Sequence, residues 1–234
     1  MHAELRWFVF HTLQRRSPQP GDRRRYVARA FMIAAVIFDL YGTLLRLPRD
    51  SQPYYKLACR HPCGDIRPAL ESALTKQFPT LADFAASIGL PTQDDISTLE
   101  RELQVDISLI RPFEDAVPTL VALKQRGVLI AMISNLATPY KQPFATHKLD
   151  DIVDVTVFSC DSGTLKPNPE IYQIAIEALG TTADQTIMVG DSFKADVDGP
   201  SKIGITGIHL VRSGKSSRAT RVISSLEAVL QTGT

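Results

Sequence analysis

Short, unbroken apolar runs recur along the chain, each closed by a polar residue or a glycine. The first is Ile33-Ala34-Ala35-Val36-Ile37-Phe38, ending at Asp39. Val128–Ile133 ends at Ser134, Val155–Phe158 at Ser159 and Ile187–Val189 at Gly190-Asp191; Ile208–Val211 follows. Runs this short, with no polar alternation, suit strands buried on both faces, as in parallel sheets. Between them residues repeat at helical spacing: Val117, Leu120, Val121 and Lys124, then Ile171, Ile174, Ala175 and Ala178 ahead of Gly180, a natural C-terminal stop. Strand alternating with helix predicts right-handed crossovers and a doubly wound, Rossmann-like parallel sheet of the α/β class.

Residues 47–110 break that rhythm. Ile66, Leu70 and Leu74, and later Ile96, Leu99 and Leu103, fall at helical spacing with few strand-like runs around them. The pattern predicts a small all-helical cap (47–110) inserted after the first strand, so that the α/β core comprises 32–46 and 111–234. Residues 1–31 stand apart by composition: seven arginines face only Glu4 and Asp22, a surplus of five positive charges. They carry Trp7, Phe8, Phe10 and a Pro-rich patch at Ser17–Pro20, without the apolar stretch and small-residue cleavage site of a secretory signal. They read as a basic N-terminal extension outside the fold, with Met32 serving as a start; an Arg-rich, acid-poor organelle leader is the alternative.

Composition narrows the function classes. With 234 residues, 44% hydrophobic and 22% charged, the chain can bury a sizeable core without staples. The net charge is +1, so the remainder outside the basic extension carries −4. That balance favours neither nucleic acid nor a membrane surface, and no apolar run approaches the roughly 18 residues of a membrane span. Cys59, Cys63 and Cys160 form no even set and read as reduced thiols of a cytoplasmic protein. The run Cys59-Arg60-His61-Pro62-Cys63 lacks an evident fourth ligand and is interrupted by Pro62, so it reads as ordinary chain rather than a zinc site. The oligomeric state is not legible.

In open α/β sheets the ligand crevice lies beyond the carboxyl ends of the strands. Asp39, Ser134 and Asp191 each close an apolar run there. Singly, each would serve as a turn or cap residue; together with Lys166 they make a candidate site.

These residues sit in four segments: Phe38-Asp39-Leu40-Tyr41-Gly42-Thr43-Leu44; Ile133-Ser134-Asn135; Lys166-Pro167-Asn168-Pro169-Glu170-Ile171-Tyr172; and Gly190-Asp191-Ser192 with Asp196. Their content and order resemble the motifs of the haloacid dehalogenase superfamily across residues 33–211, and the insertion falls where its subfamily I places a cap. The resemblance implies that Asp39 is the nucleophile, with Lys166 beside it as a point charge. It implies that Ser134 and the Leu40 and Tyr41 amides donate to a transferred group. Mg²⁺ would be held by Asp39, Asp191 and the Tyr41 carbonyl, with Asp196 acting through water or in support. Thr43 and Asn135 are expected to bind substrate by orienting the loop and the nucleophile. The substrate is expected to be a small molecule.

One position divides the readings. Phosphatases of this superfamily carry an aspartate two residues after the nucleophile, as acid and base for the leaving group and water. Here that position is Tyr41, which resembles the 2-haloacid dehalogenases, whose halide leaves without a proton. Those enzymes act without metal and have serine where this chain has Asp191, so the fourth segment points back to a phosphatase. The favoured reading is a Mg²⁺-dependent phosphohydrolase with weakened acid catalysis. A 2-haloacid dehalogenase, with Arg46 or Arg60 receiving the halide, and a non-catalytic binding protein on the same fold stay open. Tyr54, Tyr55, Arg60 and Phe78 are expected to pack the helices of the insertion.

Overall fold

The computed structural model describes residues 33–48, 50–61, 64–91, 94–214 and 216–232, which fall in one compact unit. The basic extension, Met32 and Cys63 lie outside the described residues. Strand β1, Ala35–Phe38, is followed by the two-residue β2, Leu45–Arg46. Four helices come next: α1, Pro53–Ala58; α2, Arg67–Thr75; α3, Leu81–Ser87; and α4, Asp94–Leu109. The chain re-enters through β3, Arg111–Pro112, and continues with α5, Ala116–Gln125; β4, Leu129–Ser134; α6, Gln142–Thr146; and β5, Val155–Phe158. Then follow α7, Ser159–Ser162; α8, Pro169–Leu179; β6, Thr186–Gly190; a π-helix, Phe193–Asp198; the short α9, Gly199–Ser201; β7, Thr206–Leu210; and β8, Val222–Ile223. No helix among the described residues is long and apolar enough to cross a membrane.

The main sheet has the order β5-β4-β1-β6-β7-β8 with every pair parallel. Each residue of β1 is buried, and its side chains alternate between two apolar layers. Ala35 and Ile37 face α8 residues such as Ile171 and Ala175. Val36 and Phe38 belong to the opposite layer, with Leu120 and Leu123 of α5. Burial on both sides is why these strands read as continuous apolar runs. The expected boundaries shift by one or two residues, as helix and strand ends usually do.

Two local features differ from the sequence expectation. The core face of α5 is Ala116, Thr119, Leu120 and Leu123, while Val121 is 38% exposed. Ala116 and Thr119 share that face with the two leucines, so a stripe drawn through Val117 and Val121 is rotated. The antiparallel β2–β3 ribbon, joining the two ends of the helical insertion, is too short to show any periodicity. Within the insertion, Ile96, Leu99 and Leu103 are buried as their spacing predicts.

The order of strands places the site. The chain leaves β1 for β4 and β5 on one side, then returns to β6 and β7 on the other. The switch point therefore lies between β1 and β6, where Asp39 and Asp191 emerge at neighbouring carboxyl ends.

Candidate active site

Asp39 follows β1 directly, and its amide donates to the carbonyl of Val189 on β6 at 2.9 Å, which fixes the backbone at the strand end. Asp39 is 7% exposed. Its Oδ1 accepts from Lys166 Nζ at 2.6 Å, and the same ammonium donates to Asp196 Oδ1 at 2.8 Å. Lys166 is 6% exposed and Asp196 fully buried, so this is a charge cluster shielded from water. The second oxygen of Asp196 accepts the Ser192 amide at 2.9 Å, and Ser192 caps the π-helix that carries Asp196 inward.

Asp191 completes the group: ligand oxygens of Asp39, Asp191 and Asp196 lie within 4.8 Å of one another. Two glycines make room for these carboxylates. A Cβ on Gly42 would lie 2.2 Å from Asp191 Oδ2, and one on Gly190 would lie 2.2 Å from Asp196 Oδ2. Gly42 also has φ +86°, a conformation that side chains rarely adopt.

Asp39 and Asp196 are buried, whereas Asp191 is exposed at the edge of the group; crowded acids, the buried ones above all, repel and resist ionisation. Burial pushes the Asp39 carboxyl up to about 7; Lys166 opposes this, while Asp196 and Asp191 add to it. Burial and then Asp196 raise the Asp191 carboxyl. For Lys166, burial alone would lower the ammonium, but Asp39 and Asp196 outweigh it and hold the charge on. One ammonium faces three carboxylates, an imbalance that a cation at Asp39 and Asp191 would relieve.

Hard oxygen donors in this number suit Mg²⁺. Asp196 already uses one oxygen on Lys166 and the other on Ser192, so it would support Lys166 beside any metal held by Asp39 and Asp191. A divalent ion bound at Asp39 would have to displace the proton that this carboxyl retains below about 7. Mg²⁺ affinity is therefore expected to weaken roughly tenfold per pH unit on acidifying below that value. Titration calorimetry at pH 6 and pH 8 checks this; equal affinities would contradict it.

The remaining predicted residues fall in different places. Asn135 clamps the Lys166 backbone, its Oδ1 accepting the Lys166 amide at 2.8 Å and its Nδ2 donating to the Lys166 carbonyl at 2.9 Å. Ser134 is buried at the end of β4, next to β1 in the sheet. Thr43 is fully buried, and its carbonyl accepts from Arg212 Nη2 at 3.0 Å. Arg212 in turn forks onto the Asp115 carboxylate, tying the turn after β1 to the far end of the chain. Sequence reasoning missed this pair, whose partners lie on separate elements with no local pattern.

Tyr41 points its hydroxyl at the carbonyl of Tyr140, donating at 2.7 Å, and the two rings meet edge to face. Burial, and then Tyr140, push the phenol above its ordinary value. Tyr41 and Asn135 also form part of the wall of a cavity of about 480 Å³ that extends over α1 and α2. Tyr54 and Tyr55 line it, and Tyr54 also packs at a tilt on Phe84, with centroids 5.1 Å apart. Phe78 packs on Phe84 as expected. Arg46 and Arg60 are not among the residues lining the cavity; the Arg46 guanidinium sits 4.9 Å from the Phe113 ring centroid.

Residues 33–204 match the family model described as haloacid dehalogenase-like hydrolase. The chain belongs to this family. It is therefore an enzyme, a hydrolase of the haloacid dehalogenase-like type. A glyceraldehyde 3-phosphate phosphatase of Methanopyrus kandleri is 24% identical over 204 residues, covering 79% of this chain and 86% of the relative. An (S)-2-haloacid dehalogenase of Burkholderia cepacia is 28% identical over 196 residues, covering 78% and 84%. Among solved structures, a HAD phosphatase from Thermococcus onnurineus superposes with a TM-score of 0.61 at 23% identity, covering 86% of this chain and 98% of its own. This haloacid dehalogenase-like chain thus has relatives on both sides of the divide drawn by Tyr41.

Proposed function

We propose that the chain is a Mg²⁺-dependent phosphohydrolase of small phosphorylated molecules, working through a covalent aspartyl intermediate. The observation that carries the reading is the convergence of Asp39, Asp191 and Asp196 around one ammonium. A metal-free attack on carbon has no use for a second carboxylate beside the nucleophile, where it only repels. Phosphoryl transfer does, because charge on the transferred oxygens must be neutralised.

In the proposed reaction the free oxygen of Asp39 attacks phosphorus, the bond to the leaving oxygen breaks, and that oxygen departs with the electron pair. Water then attacks the phospho-aspartate at phosphorus, releasing phosphate and restoring the carboxylate. Lys166 holds Asp39 ionised and oriented, and Asn135 holds Lys166. Ser134 and the Leu40 and Tyr41 amides serve the transferred oxygens. Among the described residues, the hydrogen bonds of the turn after β1 are donated by Gly42, Leu44 and Leu45, which leaves those two amides for the ligand. Bound at Asp39 and Asp191, with the Tyr41 carbonyl, Mg²⁺ would supply charge neutralisation. Residues 47–110 are proposed as the cap and 32–46 with 111–234 as the core. The cytoplasm is proposed as the compartment, in keeping with the unpaired Cys59 and Cys160.

Hydrolysis of p-nitrophenyl phosphate should require Mg²⁺ and cease in excess chelator. Undiminished turnover there, or chelator-insensitive halide release from 2-chloropropionate, would replace this reading with dehalogenation. The Tyr41 proton is committed to Tyr140, so it cannot assist a poor leaving group. Tyr41→Asp should therefore raise turnover of alkyl phosphates by roughly tenfold or more, and that of aryl phosphates much less. An equal change in both classes would count against this role of position 41.

A further inference from the structure

Asp191 is the exposed member of the acidic group. Apart from its own amide, no hydrogen bond reaches its carboxylate among the described residues. Its aim therefore rests on the backbone from which it springs. The peptide plane that follows it is gripped on both edges. On one edge the Ser192 amide donates to Asp196 Oδ2 at 2.9 Å. On the other the Asp191 carbonyl accepts from His209 Nε2, also at 2.9 Å. A peptide unit is planar, so bonds on opposite edges stop it rotating and fix the direction in which the Asp191 side chain leaves the chain.

The sheet places His209 for this contact. On β7 it stands in register with Gly190 of β6, one residue before Asp191. Its own amide donates to the Arg221 carbonyl at 2.9 Å. A carbonyl can only accept, so Nε2 carries the hydrogen. The other ring nitrogen, Nδ1, lies 2.6 Å from Ser217 Oγ. That oxygen accepts the Ala219 amide at 3.0 Å, which leaves the serine hydrogen for Nδ1. The imidazole is also packed edge to face against Phe193, with centroids 6.0 Å apart, and the Arg218 guanidinium sits 4.2 Å from the centroid of that ring. Phe193 opens the π-helix that carries Asp196. Residues 217–219 thus fasten the imidazole from behind while its Nε2 faces the Asp191 loop.

Resting on the phosphohydrolase reading, we propose that His209 is a positioning residue for Asp191. Its Nε2–H holds the Asp191 peptide so that the carboxylate faces Asp39, ready for Mg²⁺, and Ser217 holds the imidazole in turn. Groups that orient a metal ligand in this way are worth roughly 10- to 100-fold in metal affinity.

The test is calorimetric titration of MgCl₂ into the full-length protein and three variants at pH 8, with thermal melting of each alongside. His209→Phe keeps a ring against Phe193 and removes the donor. His209→Gln retains a side-chain N–H able to reach the Asp191 carbonyl. Ser217→Ala frees the imidazole without altering it. The Phe variant should bind Mg²⁺ roughly tenfold more weakly or worse, with the Gln variant restored to within about threefold of the parent. Loss of one neutral hydrogen bond in Ser217→Ala should weaken binding by about threefold. A purely structural role would lower the melting temperature of the Phe variant and leave its Mg²⁺ affinity parental, which overturns the proposal. Equal weakening by Phe and Gln overturns it as well, since the donor would then be irrelevant. Should His209→Phe fail to fold, Ser217→Ala decides, and an unchanged affinity there overturns the proposal. Each of these results leaves the phosphohydrolase reading intact, whereas a parent protein that binds no Mg²⁺ overturns both.

Discussion

Asp39→Asn should reduce turnover of p-nitrophenyl phosphate by roughly four orders of magnitude or more, the scale seen when a nucleophile is removed from a catalytic unit. The amide cannot form the acyl phosphate, and the neighbouring acids cannot replace it. Asp191 is expected to be committed to the metal, and Asp196 already spends both oxygens on Lys166 and Ser192. The variant should nevertheless fold as stably as the parent, or more so. A carboxyl whose pKa rises to about 7 on folding binds more protons folded than unfolded. It therefore costs stability at any pH above its unfolded value of about 3.9. Thermal denaturation at neutral pH checks this half of the prediction, and a marked loss of stability would contradict the picture of Asp39 as a strained, crowded acid.

Lys166→Met should fail in the opposite way. Among the described residues its ammonium is the only hydrogen-bond partner of the Asp39 carboxylate and one of two for Asp196, and its side chain is 3% exposed. Removing one member of such a buried pair leaves uncompensated charge and costs about 3–5 kcal/mol. For a domain of this size that corresponds to a melting temperature roughly 10 °C lower. Activity should fall as well, by at least ~100-fold. The pH dependence carries its own sign. Without Lys166, Asp39 is pushed further up and keeps its proton at neutrality, so the destabilisation deepens as pH rises through and above 7. A Lys166→Met protein with parental stability at pH 8 would show that the cluster is not the buried, charge-imbalanced unit described above.

How much of this was legible beforehand differs from element to element. The strands of the sheet were, because burial on both faces leaves unbroken apolar runs in β1, β4 and β6, and the polar residue ending each run is the one that reaches the crevice. Asp39 and Asp191 were legible for that reason, helped by the motif order, whereas Lys166, in the loop before α8, was legible only through its motif. Contacts between distant segments were not. The Tyr41–Tyr140 hydrogen bond spans 99 residues of sequence, and nothing near Tyr140 announces an acceptor. Asn135 was expected to orient the loop and the nucleophile at the substrate, but that its amide reaches across 31 residues to grip Lys166 could not be read, because the β4 end and the loop before α8 create that position together. In the insertion, helices could be anticipated, but which tyrosines pack and which line a cavity depends on how α1 and α2 turn relative to the β1 loop. Gly42 and Gly190 show the same limit: their lack of a side chain matters because of carboxylates far along the chain or across a turn.

The central claim is that the Asp39 carboxylate, and not water, makes the first attack on phosphorus. Two displacements, each inverting phosphorus, restore its original configuration, whereas a single attack by water inverts it. The most direct measurement is the stereochemical course of hydrolysis of an isotopically chiral aryl phosphorothioate by the Mg²⁺-loaded protein. Net retention is the predicted result. Net inversion would contradict the covalent mechanism, even if every residue around Asp39 stood where it is described.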